Sequence, residues 1–172
     1  MRYAGIDDFE ISNGSGSGVS LYVQGCRFHC HNCFNTETWD FTAGKPWTEE
    51  IEKDFFELAA KPYIKRISIL GGEPLANENV SDVLQLVHKI KDKFPEKAVW
   101  LFTGYTMETI YQCNLYKNNI RKQVIELCDI VVDGQFVESK KDLSLQFRGS
   151  SNQRIIDIKK SLEKEEIILW TT

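Results

Sequence analysis

The sequence has no apolar run that could cross a bilayer. Its longest, "AVWLF" at 98–102, falls far short of the roughly 20 residues a spanning helix needs. The first twenty residues also lack the apolar core of a secretory signal. Positive charge is not in excess. Twenty-one Lys and Arg stand against 25 Asp and Glu, a net charge of −4. That excludes the basic footprint of a nucleic-acid binder, and the short "SKK" at 139–141 does not restore it. There is no internal repeat and no long low-complexity segment. The expectation is a cytoplasmic protein without membrane or nucleic-acid partners. Cysteine is scarce and odd in number, at five. In a reducing compartment such thiols stay free, so a cluster of them points to metal or redox chemistry rather than disulfides.

The 172 residues with 42% hydrophobic content are enough for a core without disulfide staples. A single domain over 1–172 is expected, with a core at about 19–136 and a C-terminal extension, 137–172, packing on it. "NGSGSG" at 13–18 looks flexible and leads into the β-prone run 19–24. Residues 48–60 read as a helix capped by Thr48, with Ile51, Phe55 and Leu58 on one face. Residues 65–70 read as a strand. Residues 79–94 read as a helix capped by Asn79, with Val80, Val83, Leu84, Val87, Ile90 and Phe94 as its apolar stripe. A strand at 98–104, helical segments in 106–127 and a strand at 129–136 follow. Near-continuous apolar strands between amphipathic helices indicate an α/β fold with parallel βαβ units. The chain is too short for a closed eightfold barrel, which takes about 250 residues. An open, partial (β/α) barrel of mostly parallel strands is expected. The C-terminal "IIDIKKSLEKEEIILW" reads as a short helix or strand and then an edge strand.

Three of the five cysteines crowd into "GCRFHCHNCF". Cys26, Cys30 and Cys33 follow a C-x3-C-x2-C spacing. A zinc site would need a fourth ligand, such as His29 or His31. No second cysteine pair supplies one, and that reading stays open on spacing alone. Gly25 and the lack of apolar periodicity argue against a helical face. Thiolates suit iron–sulfur clusters, and a cubane normally takes four of them. Three leave one iron free to bind something else. Cys113 and Cys128 read as buried small hydrophobes.

A second stretch, "GGEP" at 71–74, follows the strand 65–70. It could be a plain turn. It lacks the spacing and the lysine of a phosphate loop, and Glu73 would repel phosphate. A carboxylate beside two glycines suits a cationic ligand approaching the backbone. The cysteine loop, "GGEP", "TGY" at 103–105 and "DGQF" at 133–136 all fall at predicted strand ends, where ligands collect in parallel α/β folds. Asp133 and Gly134 are therefore expected to face the same site.

The cysteine triad and "GGEP" together closely resemble the radical S-adenosylmethionine superfamily. That resemblance implies a [4Fe–4S] cluster on Cys26, Cys30 and Cys33, with S-adenosyl-L-methionine chelating the fourth iron. It also implies that Asn32, Cys33 and Phe34 lie against the cofactor, and that Gly71, Gly72 and Glu73 line its amino end. Many members carry an aromatic before the third cysteine, where this chain has Asn32. The small activating enzymes share that departure. "NGSG" at 13–16 and "NTETW" at 35–39 resemble the subgroup that activates glycyl-radical enzymes. Within it, 129–136 and 142–157, including "RGSSNQR" at 148–154, resemble the members that serve anaerobic ribonucleotide reductases. The implied activity is reductive cleavage of S-adenosylmethionine to methionine and a 5′-deoxyadenosyl radical, which makes a glycyl radical on the partner subunit. An electron donor such as flavodoxin is implied, and a homodimer or a hetero-oligomer with the reductase is possible. No catalytic residue is expected beyond the cluster-bound cofactor. The alternatives are a radical enzyme acting on a small molecule, of the deazapurine-forming type, and a zinc-stabilised binding module. "RGSSNQR" would belong to the cofactor or partner surface, and Trp39 would shield the cluster or pack in the core.

Overall fold

The computed structural model describes residues 1–112 and 119–171. Seven strands form one sheet in the order β3-β1-β2-β4-β5-β6-β7. They are β1 (Arg2–Glu10), β2 (Gly18–Val23), β3 (Lys45–Pro46), β4 (Arg66–Gly71), β5 (Ala98–Phe102), β6 (Ile130–Asp133) and β7 (Arg154–Asp157). The helices are α1 (Glu49–Ala60), α2 (Val80–Lys93), α3 (Met107–Gln112), α4 (Ile120–Leu127) and α5 (Ile158–Lys164). The four inner strands, β2, β4, β5 and β6, pair in parallel. Antiparallel pairings add β1 and β3 at one side and β7 at the other. The sheet is therefore mixed and does not close. No helix among the described residues is long and apolar enough to cross a membrane.

The parallel centre follows from the sequence. α1 lies between β2 and β4, and α2 between β4 and β5, as βαβ crossovers require. Thr48 caps α1, its hydroxyl accepting from the Ile51 N–H at 3.3 Å. Phe55, Val83, Val87, Ile90 and Val124 pack with Val19, Leu21, Val23, Ile67, Ile69, Val99, Leu101 and Val131 in one core. Each such side chain contributes on the order of 1.5–3 kcal/mol when fully buried. Alternation along the strands sends the intervening residues to the opposite face. There Trp100, Ile130, Val132 and Ile155 form a second cluster under Phe147 and Trp170.

The other half of that inner face is polar. The fully buried Arg66 donates to Glu10 Oε1 at 2.6 Å, to Ser68 Oγ at 2.5 Å and to the Asn13 carbonyl at 2.9 Å. The 13–18 stretch passes directly over this side chain. A Cβ on Gly14 would lie 2.6 Å from Arg66 Cδ, and one on Gly18 2.5 Å from its Cζ. Glycine is needed here for close approach as well as for turning.

Some elements differ from expectation. β1 is a nine-residue strand that sequence pattern did not indicate. With β7, it carries the sheet beyond 19–136 on both sides. Asn79 precedes α2 without capping it. Its amide instead donates to the carbonyls of Gln24 and Glu73, both at 3.0 Å. Leu86 joins the α2 stripe, whereas Leu84 is only partly buried. At the C-terminus β7 precedes α5, and Leu169 then bridges back to Ile156.

Candidate functional site

Because β2, β4, β5 and β6 run in parallel, the segments that follow them emerge at one rim. Together they line a cleft of about 400 Å³. After β2 come Cys26, Cys30, Cys33 and Phe34; after β4 come Gly72 and Glu73. After β5 come Thr103 and Gly104, and after β6 come Gly134, Gln135 and Phe136. Arg148, Gly149 and Gln153 add a wall from the C-terminal segment. Tyr22, Leu70, Gly71 and Phe102 also line it.

The cysteine loop is stitched to the "GGEP" turn through backbone. Gly72 N–H donates to the Val23 carbonyl at 2.9 Å, and Glu73 N–H to the Gly25 carbonyl at 2.8 Å. A Cβ on Gly72 would sit 2.5 Å from the Gly25 carbonyl oxygen. Gly71 has a φ of +101°. The first glycine turns the chain, and the second allows two backbones to touch.

The backbone around the three sulfurs bears on their charge. Asn35 N–H lies 3.5 Å from Cys33 Sγ. Burial pushes the Cys26 thiol up; the Cys30 thiol is raised by burial and then by the neighbouring Cys33. The backbone around Phe28 and His29 offsets part of the upward push on Cys26, and that of Phe136 does so on Cys30. Charged sulfurs in this cleft therefore call for a cation. Among the described residues no three His, Cys, Asp or Glu side chains converge to hold a metal ion. Three cysteine thiolates, one for each of three irons, would fit a cubane whose fourth iron has no protein ligand.

Both histidines stay out of the cleft lining. His31 is exposed, and the His29 ring stacks on Trp39 with centroids 4.5 Å apart. Trp39 itself lines the cleft. Asn32, expected against the cofactor, is also exposed and outside the lining. Its φ is +54°, in a turn closed by Cys33 N–H donating to the Cys30 carbonyl at 3.1 Å. Asparagine tolerates the left-handed conformation better than most residues. Cys128 is buried, its thiol 3.2 Å from the Val124 carbonyl. Cys113 lies outside the described residues.

Glu73 is almost fully buried, at 2% exposure. Its Oε1 accepts from Leu75 N–H and the Thr103 hydroxyl, and its Oε2 from Gly104 N–H, all at 2.8 Å. Burial pushes its carboxyl up to about 7, against those same hydrogen bonds. Of roughly four lone-pair positions on a carboxylate, one remains. Asp133 does not line the cleft. It accepts from Arg154 Nε and from Met107 N–H, both at 2.9 Å, and so ties β6 to β7 and α3.

The "RGSSNQR" segment gains a structural role that its polarity did not disclose. Gln153 Oε1 accepts from the N–H groups of Gly149 and Ser150 at 3.0 and 3.1 Å. Its Nε2 donates to the Gly134 carbonyl at 3.0 Å, and Asn152 Nδ2 to the Gln135 carbonyl at 2.9 Å. The segment thus grips the turn after β6.

A family model described as "4Fe-4S single cluster domain" matches residues 12–156. Curated relatives carry the name anaerobic ribonucleoside-triphosphate reductase-activating protein. The one from Escherichia coli K12 is 39% identical over 155 residues, covering 89% of this chain and 96% of its own. That of Pasteurella multocida is 34% identical, covering 90% and 96%. That of Enterobacteria phage T4 is also 34% identical, covering 90% and 93%.

Proposed function

The chain belongs to the 4Fe-4S single cluster domain family and, within it, to the anaerobic ribonucleoside-triphosphate reductase-activating proteins; from that premise we propose that it acts through a three-cysteine [4Fe–4S] cluster and S-adenosyl-L-methionine, making a glycyl radical on its reductase. The observation that carries this reading is the stitching of Gly72 and Glu73 onto the mouth of the cysteine loop, which makes the two motifs one site.

Cys26, Cys30 and Cys33 would hold three irons. Phe34 and the backbone of Cys33 would flank the cofactor on one side. Gly71 and Gly72 would offer backbone at its amino end, where the open lone pair on Glu73 can accept from an ammonium. Asn32 shapes the turn between the second and third cysteines. When bound, cluster and cofactor supply the reductive cleavage that yields methionine and a 5′-deoxyadenosyl radical able to take a hydrogen atom from a glycine. The chain's own task is to orient the cofactor and to leave the cleft open to that glycine. The unclosed sheet supports a partial barrel of the radical S-adenosylmethionine type. An electron donor such as flavodoxin would reduce the cluster, and a cytoplasmic location would keep the thiols free.

The test is anaerobic reconstitution with iron and sulfide, reduction, and incubation with S-adenosylmethionine and the reductase. Electron paramagnetic resonance should show a glycyl radical on the reductase, with 5′-deoxyadenosine in the mixture. A brown, reduced protein that yields neither would overturn the assignment.

A further inference from the structure

The turn after β6 is pressed against one cluster ligand and fastened from behind. The Gln135 side-chain amide lies 4.0 Å from the Cys30 sulfur. The Gln135 and Gly134 carbonyls are held by Asn152 and Gln153, as described above. Gly149 packs in the same corner, where a Cβ would meet Phe34 Cε2 at 2.7 Å and Phe136 Cδ2 at 3.1 Å. Two separate stretches of chain, the cysteine loop and "RGSSNQR", thus fix where Gln135 stands.

As a thiol, Cys30 donates to Gln135 Oε1. As a thiolate it has no proton and can only accept. Turning the amide over exchanges Oε1 for Nε2 at the same place, since the two ends are nearly isosteric. Gln135 then donates to the sulfur. Hydrogen bonds to cluster sulfurs stabilise the more negative, reduced state and are a principal control on potential.

We propose that Gln135, positioned by Asn152 and Gln153 of the "RGSSNQR" segment, sets the reduction potential of the cluster through a hydrogen bond to the Cys30 sulfur. This rests on the reading of Cys30 as an iron ligand. The experiment uses the full chain, reconstituted anaerobically, with iron content measured before a redox titration followed by electron paramagnetic resonance. Gln135→Met keeps the size and removes the donor. It should make reduction about tenfold less favourable, a lowering of about 59 mV for one electron. Asn152→Ala, which leaves Cys30 untouched, should shift the potential the same way by less. Ser144→Ala, at an exposed residue whose hydroxyl donates to Asp142 Oδ1 at 2.6 Å, should not shift it. A Gln135→Met protein with full iron and the parent potential overturns the proposal. So does one that takes up no cluster, because the segment would then serve assembly. A parent protein that fails to take up four irons would instead sink the underlying cluster assignment.

Discussion

The Thr103 hydroxyl donates to Glu73 Oε1 at 2.8 Å, joining the end of β5 to the turn that follows β4. Thr103→Val keeps the shape and leaves a buried carboxylate short of one donor. A loss of about 1–3 kcal/mol of stability is expected, measured by urea unfolding of the cluster-free protein. An unchanged midpoint would show that the bridge contributes nothing.

Two carboxylates give opposite pH dependences. Glu73 is raised by burial from 4.5 to about 7, so the folded state keeps a proton that the unfolded chain has released. Its contribution to stability falls as pH rises from about 4.5 to 7, by up to roughly 3 kcal/mol. Glu10 behaves in reverse. Burial alone would raise it, but hydrogen bonds from Arg66, Ser20 and the Asn13 N–H hold it at about 2. Its contribution is present above about 4.5 and is lost as pH falls towards 2. Glu73→Gln should remove the slope in the upper window alone, and Glu10→Gln in the lower window alone. Denaturation curves of both variants across pH test the pair.

Two glycine substitutions should differ sharply. Gly72→Ala drives a Cβ into the Gly25 carbonyl at 2.5 Å, where both partners are backbone. We expect a loss of more than about 2 kcal/mol and poor cluster retention, as for other strained or overpacked sites. Gly149→Ala meets Phe34, a half-exposed side chain that can swing aside. It should cost under about 1 kcal/mol. Iron content and unfolding midpoints compared side by side decide this.

Cys26→Ala, Cys30→Ala and Cys33→Ala should each abolish iron and acid-labile sulfide after reconstitution. Cys128→Ala should retain both, since its thiol is buried away from the cleft. If Cys128→Ala lost the cluster as completely as the others, the three-ligand site would be wrong.

The parallel centre of the fold was legible because α1 and α2 carry clean apolar stripes and β5 and β6 are nearly all apolar. β1 was not. Its residues alternate poorly, and much of its length is only partly buried beside β2. The face carrying Arg66 was equally hidden, because a buried arginine becomes intelligible only when Glu10, Ser68 and the glycines above it are seen together. In the site, short-range spacing disclosed the cysteines and "GGEP". The places of Thr103, Gln135, Asn152 and Gln153 depend on contacts across the sheet, which leave no local pattern. The exposure of the Asn32 side chain was hidden for a related reason: adjacency to Cys33 in the chain says nothing of which way a left-handed turn points.

Cys30 and Gln135 are 105 residues apart in the chain. Translation at about 5–20 residues per second leaves the thiols waiting on the order of 5–20 s before the turn that covers one of them has been made. Asn152 and Gln153, which secure that turn, leave the ribosome later still. During synthesis the three cysteines are therefore an unguarded group of nucleophiles, open to oxidation and to stray metals. Cluster delivery is best timed to the finished chain, and a truncated product ending before residue 150 would display the ligands without their shelter.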